Sequence, residues 1–71
     1  MYKRIRELRE SKGWSQRIVA KELECSQQVY SNYELGQRDI PTDILIKLSA
    51  LYGVSVDYIL GLADNPEKMA E

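Results

Sequence analysis

Histidine is absent from the 71 residues, and cysteine occurs once, at Cys25. Without histidine the chain lacks both the usual proton shuttle of enzymes near neutral pH and the commonest metal ligand. A lone cysteine excludes an internal disulfide framework and any cysteine-rich zinc site. There is no glycine-rich phosphate loop and no paired carboxylate site with apolar shielding, so catalysis is not expected. No cofactor, metal ion or small-molecule ligand is expected either. No apolar run approaches the ~20 residues that span a membrane, and nothing resembles a signal peptide, which points to a soluble, cytoplasmic protein. Strand-like alternation is also missing, and the expected fold is all-α.

What is present fits one small domain. A domain of this size buries only roughly 60% of its unfolded surface, so it needs a well-packed core or a partner. The 44% apolar content supplies such a core and argues against disorder. A net charge of −1 is unsuited to a polyanion, but its distribution is uneven. Residues 1–21 carry seven basic and two acidic side chains, a net +5, and residues 22–71 carry three basic and nine acidic, a net −6. Basic residues bunched at one end suit a localised phosphate-facing patch, and equally a solvated helix face.

Local signals divide the chain into five short helices. Ile5 and Leu8 among charged residues predict a helix over 3–12, closed by Lys12 and Gly13. Ser15 is a predicted N-cap for a second helix over 16–23, with Ile18, Val19 and Leu23 as its apolar positions. After Glu24 and Cys25, Ser26 caps a third helix that ends at Leu35 and Gly36, with Val29, Tyr30 and Tyr33 on its inner face. Pro41 suits the first turn of a fourth helix, whose stripe is Ile44, Leu45, Leu48, Leu51 and Tyr52 and whose cap is Gly53. Ser55 caps a last helix over 56–60, ended by Gly61, and residues 63–71 read as a polar, loosely held tail after a domain over 1–62. With so short a tail, no sensor, ligand or protease-cleavage domain is expected beside this one.

The second and third helices are joined by only a few residues, which forces a steep crossing and gives a helix-turn-helix. Around that pair the residues Ser15-Gln16, Val19-Ala20-Lys21-Glu22-Leu23, Ser26-Gln27-Gln28 and Tyr33-Glu34-x-Gly36 stand in order. Leu45-Ile46-Lys47-Leu48 and Gly53-Val54-Ser55-Val56-Asp57-Tyr58-Ile59-Leu60-Gly61 follow. Together they resemble the phage-repressor and Cro-like (XRE) helix-turn-helix family over residues 3–61. The resemblance implies an all-α, five-helix, lambda-repressor-like DNA-binding domain. It also implies an ion pair between Arg9 and Glu34, which makes Arg9 structural rather than a phosphate contact. Ala20 sits where the second and third helices must approach closely, and Tyr30 and Tyr33 are expected in the core. Three positions depart from the family pattern. Glu24 stands where glycine is usual; a residue with a Cβ can take the left-handed conformation there at a cost of ~1 kcal/mol or more, so a slightly strained or reshaped turn is expected. Cys25 is expected as buried filler, and Trp14 as a partly buried packing residue.

In this geometry the third helix would present Gln27, Gln28, Ser31 and Asn32 to base edges in the major groove. An amide offers a donor and an acceptor together and so matches adenine N6 and N7. Ser15 and Gln16 stand where the second helix begins and its free N–H groups attract phosphate; the resemblance implies that Gln16 clamps the backbone, with Arg17 adding charge beside it and Arg38 holding the far side of the third helix. Asp39 and Asp43 make that last loop less basic than in many relatives. Lys3, Arg4 and Arg6 are further phosphate candidates that equally suit solvent. Partners are therefore the half-sites of a double-stranded DNA operator and a second copy of the chain, docked through Tyr58 and Leu62. Val54, Val56 and Leu60 suit either the core or that interface, with the core the favoured place for each. A prophage repressor, a restriction-modification controller and an antitoxin all use such a domain. A protein-interaction module of the same fold with weak DNA binding is the alternative reading.

Overall fold

The computed structural model describes residues 2–64. Five helices follow in the order α1 (Lys3–Ser11), α2 (Gln16–Glu22), α3 (Gln27–Leu35), α4 (Thr42–Tyr52) and α5 (Val56–Ile59), with no strand among the described residues. Their starts are written in serine. The Oγ atoms of Ser15, Ser26 and Ser55 accept the backbone N–H groups of Ile18, Val29 and Tyr58 at 3.2, 3.1 and 3.0 Å. Each bond satisfies one of the donors that a helix N-terminus leaves unpaired, and is worth about 1 kcal/mol. Pro41 does not enter α4 as predicted; it holds the N-cap position in extended conformation, and the helix starts at Thr42. Lys12, Leu23 and Leu60, predicted as last helical residues, are C-caps instead, so α1, α2 and α5 each end one residue earlier.

The core takes side chains from every helix. Ile5, Val19, Leu23, Tyr30, Leu48 and Ile59 are its most deeply buried large residues, and Ala20 is buried on α2 where that helix packs along α3. Ile18, one of the apolar positions that mark α2, is instead 47% exposed. One residue turns a helix by about 100°, and Val19 already occupies the inward azimuth. Leu60 also departs from expectation at 38% exposure, because α5 is a single turn and its C-cap faces outward, whereas Val54 is buried and Val56 half-buried. Cys25 is half-buried rather than buried, and burial pushes its thiol up. Trp14 is half-buried and stacks on Tyr52, with ring centroids 5.8 Å apart and planes 29° from parallel.

Two arginines of α1 tie distant segments together. Arg9 makes a two-pronged ion pair with Glu34 of α3, Nε to Oε2 at 2.7 Å and Nη2 to Oε1 at 3.2 Å, while its Nη1 donates to the Trp14 carbonyl at 2.9 Å. Gln16 of α2 donates its amide Nε2 to the same Glu34 Oε1 at 3.1 Å, so three helices meet at one carboxylate. Burial would push that carboxyl up, but Arg9, then Tyr30 and Gln16, outweigh it and hold Glu34 below the ordinary carboxylate value. Arg4 grips the other end of the fold. Its Nη1 donates to the carbonyls of Tyr58 (3.1 Å) and Ala63 (2.7 Å), and its guanidinium carbon lies 4.1 Å from the centre of the Tyr58 ring. The first two residues of the predicted tail are thus tied to α1, with Asp64 accepting from Arg4 Nη2 at 3.5 Å. Residues 65–71 of that tail lie outside the described residues. Among the described residues no helix is long and apolar enough to cross a membrane.

Candidate nucleic-acid interface

The junction between α2 and α3 is built from backbone hydrogen bonds. The N–H of Cys25 donates to the Ala20 carbonyl at 3.0 Å, and that of Glu24 to the Lys21 carbonyl at 3.1 Å. This pair of bonds closes a helix only if the residue at Glu24 turns left-handed, and Glu24 has φ 59°. α3 ends in the same way with glycine in that role: Gln37 N–H donates to the Asn32 carbonyl at 3.0 Å, and Gly36 has φ 74°. At the first site a Cβ stands where glycine would avoid strain, so the turn keeps its ordinary shape at an energetic cost rather than being reshaped. The exposed Glu24 carboxylate accepts from Lys47 Nζ of α4 at 3.2 Å, a contact worth little at such exposure.

This turn sets the outer face of α3. Gln27 and Gln28 are exposed, and Ser31 and Asn32 are half-buried at its flank, while Tyr30, Tyr33 and Glu34 point inward. Gln28 Nε2 donates to Asn32 Oδ1 at 3.2 Å, one turn along the helix. That bond leaves the Gln28 carbonyl oxygen and one amide hydrogen available, together with the Asn32 amide hydrogens. The surface is polar without formal charge from Ser26 to Tyr33.

The predicted phosphate residues are placed less uniformly. Ser15 is exposed and spends one lone pair on its cap, leaving its own O–H as a donor. Gln16 is half-buried; one amide hydrogen is committed to Glu34, and the second remains available. Arg17 and Arg38 are exposed, with no ion pair among the described residues. Of the helix 1 candidates, Arg6 pairs with Glu10 at 3.3 Å on a solvated face, and Arg4 is taken up by its grip on residues 58–64. Nothing local marks Arg4 as structural, because its acceptors lie more than fifty positions away in sequence.

At the opposite end, Tyr58 is half-buried beneath Arg4, and Leu62 is 76% exposed, next to the partly exposed Leu60. A depression of about 340 Å³ between α2 and α4, lined by Glu22, Leu23, Lys47, Ala50 and Leu51, includes none of the predicted contact residues. Among the described residues no group of three or more Asp, Glu or Cys side chains is placed to hold a metal ion. Sequence reasoning passed over Leu35, which is 58% exposed at the end of α3. Its spacing of seven residues from Gln28 was the available signal.

Residues 5–59 match the helix-turn-helix family. The HTH-type transcriptional regulator ImmR of Bacillus subtilis (strain 168) is 48% identical over 66 residues, which is 93% of this chain and 52% of that protein. The uncharacterized HTH-type transcriptional regulator YobD of the same strain is 38% identical over 68 residues, 96% of this chain and 61% of its own length. The SPbeta prophage-derived uncharacterized HTH-type transcriptional regulator YonR, again from that strain, is 40% identical over 57 residues, 80% of this chain and 53% of its own. The chain therefore spans 52–61% of the length of these relatives. No solved structure matches it.

Proposed function

The chain belongs to the helix-turn-helix family, whose members named above are transcriptional regulators rather than enzymes, and from that premise we propose that it is a sequence-specific reader of double-stranded DNA that represses transcription. It binds a palindromic operator as a homodimer, with α3 of each copy in the major groove. The observation that carries this reading is the outer face of α3: Gln27 and Gln28 stand exposed, with Ser31 and Asn32 beside them, on a helix whose other face is locked into the core. A glutamine or asparagine amide can pair in two-pronged fashion with adenine N6 and N7, and each such pair contributes about 1–3 kcal/mol of discrimination. The Gln28–Asn32 bond holds both amides in one orientation before DNA arrives, which lowers the ordering cost of reading.

Affinity comes from the flanks of that face. Ser15, Gln16 and Arg17 meet one stretch of backbone and Arg38 another, so phosphate contacts set the register and the amides read the bases. Tyr58 and Leu62 dock a second copy, which places two recognition helices about 34 Å apart on successive turns of the same groove. The net acidic charge is compatible with this reading because Arg17 and Arg38 flank an uncharged reading face.

In vitro selection of bound duplexes tests the proposal. The expected result is an enriched palindrome with half-sites one helical turn apart. Gln28→Ala is expected to relax the preference at one base pair of each half-site. An unchanged motif with that variant would remove Gln28 from the reading face. No enriched sequence for the unaltered protein would overturn the DNA-binding reading and favour a protein-interaction module of the same fold.

A further inference from the structure

Leu35 breaks the polar pattern of the reading face. It follows Gln28 by seven residues and Asn32 by three, so at about 100° per residue it returns to within roughly 20° of the Gln28 azimuth. The Gln28–Asn32 hydrogen bond of 3.2 Å shows that these side chains share one stripe, and Leu35 extends it by one more turn. A leucine 58% exposed at this position is not needed by the core, since the inner face of α3 is already supplied by Tyr30 and Tyr33. Helical side chains lean toward the N-terminus, which carries the isobutyl group back over the turn that holds Ser31 and Asn32.

Resting on the DNA-reading function proposed above, we propose that Leu35 is a further specificity-determining residue, which selects thymine by packing against its C5-methyl group. That methyl is the apolar group that a major groove offers to a side chain, beside the donors and acceptors that the amides read. α3 has nine residues and so measures about 13 Å, and Leu35 stands in its last turn on the stripe that Gln28 and Asn32 present to the groove. The rise from Gln28 to Leu35 is about 10 Å, which sets the thymine at most about three base-pair steps from the base that Gln28 reads. Burial of one methyl group corresponds to about a fourfold change in affinity.

The test uses the duplex selected by the unaltered protein, with each thymine of a half-site replaced in turn by deoxyuridine, which removes only the methyl group. Binding is followed by fluorescence anisotropy for the unaltered protein and for Leu35→Ala, whose fold is checked by thermal melting. The expected result is one position, within three steps of that relaxed by Gln28→Ala, where deoxyuridine weakens the unaltered protein about fourfold and leaves Leu35→Ala unchanged. Equal losses in both proteins at every position would overturn the proposal, as would indifference of the unaltered protein to every replacement. That last measurement needs no variant, so it can overturn the proposal even if Leu35→Ala folds poorly. A selected motif with no such thymine overturns the role of Leu35 alone, whereas no selected motif at all overturns the DNA-reading function with it.

Discussion

Replacing Arg9 with methionine removes the charge that answers the most deeply buried carboxylate of the fold. The side chains of Arg9 and Glu34 are 13% and 4% exposed, and the guanidinium makes two bonds to Glu34 and one to the Trp14 carbonyl. Without it, Glu34 keeps the Gln16 amide and the nearby Tyr30 hydroxyl but no countercharge. Breaking one side of a buried pair costs about 3–5 kcal/mol. At ~0.05–0.15 kcal/mol per residue, a chain of 71 residues has about 4–11 kcal/mol in total, so Arg9→Met is expected to be marginally folded at room temperature. Arg9→Met combined with Glu34→Leu removes both charges and is expected to recover most of the loss. Urea unfolding followed by Trp14 fluorescence measures both. The pH dependence supplies a sharper check. In the unaltered protein Glu34 is held below the ordinary value near 4.3, so the unfolded chain takes up the proton first as pH falls. Stability from the pair is complete above that value and is lost as pH falls through the folded one. In Arg9→Met burial is opposed only by neutral donors, the carboxyl rises, and the slope is expected to reverse, with stability lost as pH increases. A cost below about 1 kcal/mol for Arg9→Met, or an acid slope that survives in the double variant, would refute the reasoning.

Three further outcomes are expected. Glu24→Gly releases about 1–2 kcal/mol of left-handed strain against about 0.5–1 kcal/mol of added freedom in the unfolded chain and a few tenths for the exposed Lys47 contact, so thermal melting should show a small net gain; a clear loss would contradict the strain assignment. The Tyr52 hydroxyl is buried without a hydrogen-bond partner among the described residues, and burial pushes it up to about 12. Its neutral form therefore adds stability that is complete below the ordinary value near 10 and is lost as pH rises toward 12; Tyr52→Phe should be equally or more stable at neutral pH and should flatten that alkaline loss in a denaturation series. Arg38→Ala should weaken DNA binding similarly for all sequences and lower the salt slope by about one unit, and an unchanged slope would remove Arg38 from the phosphate contacts.

Placements that local pattern left open share a cause. Ile18 and Leu60 are apolar residues beside other apolar residues, and a pattern of type alone does not say which neighbour takes the inward azimuth. Arg4 belongs to a basic run that suits either solvent or phosphate. Its partners at residues 58, 63 and 64 come near only when α5 packs beside α1. The assignment of Gln16 as a phosphate contact gave no hint that its amide also serves Glu34. Capping serines, by contrast, act over three residues, and all three were readable from the chain.

Amino-acid order alone determined five short helices, their serine starts, the glycine ends and the polar outer face of α3. Each of these depends on bonds or azimuths within about one or two helical turns, where backbone geometry leaves few choices. The Arg9–Glu34 pairing was expected from family resemblance, since no local rule joins positions 25 apart. Tertiary structure decided the rest: the convergence of Arg9, Gln16 and Glu34, the Arg4 grip on the chain beyond α5, and the outward turn of Ile18, Leu60 and Leu35. Those outcomes depend on which surfaces meet when helices pack, and packing selects among side chains that are locally equivalent.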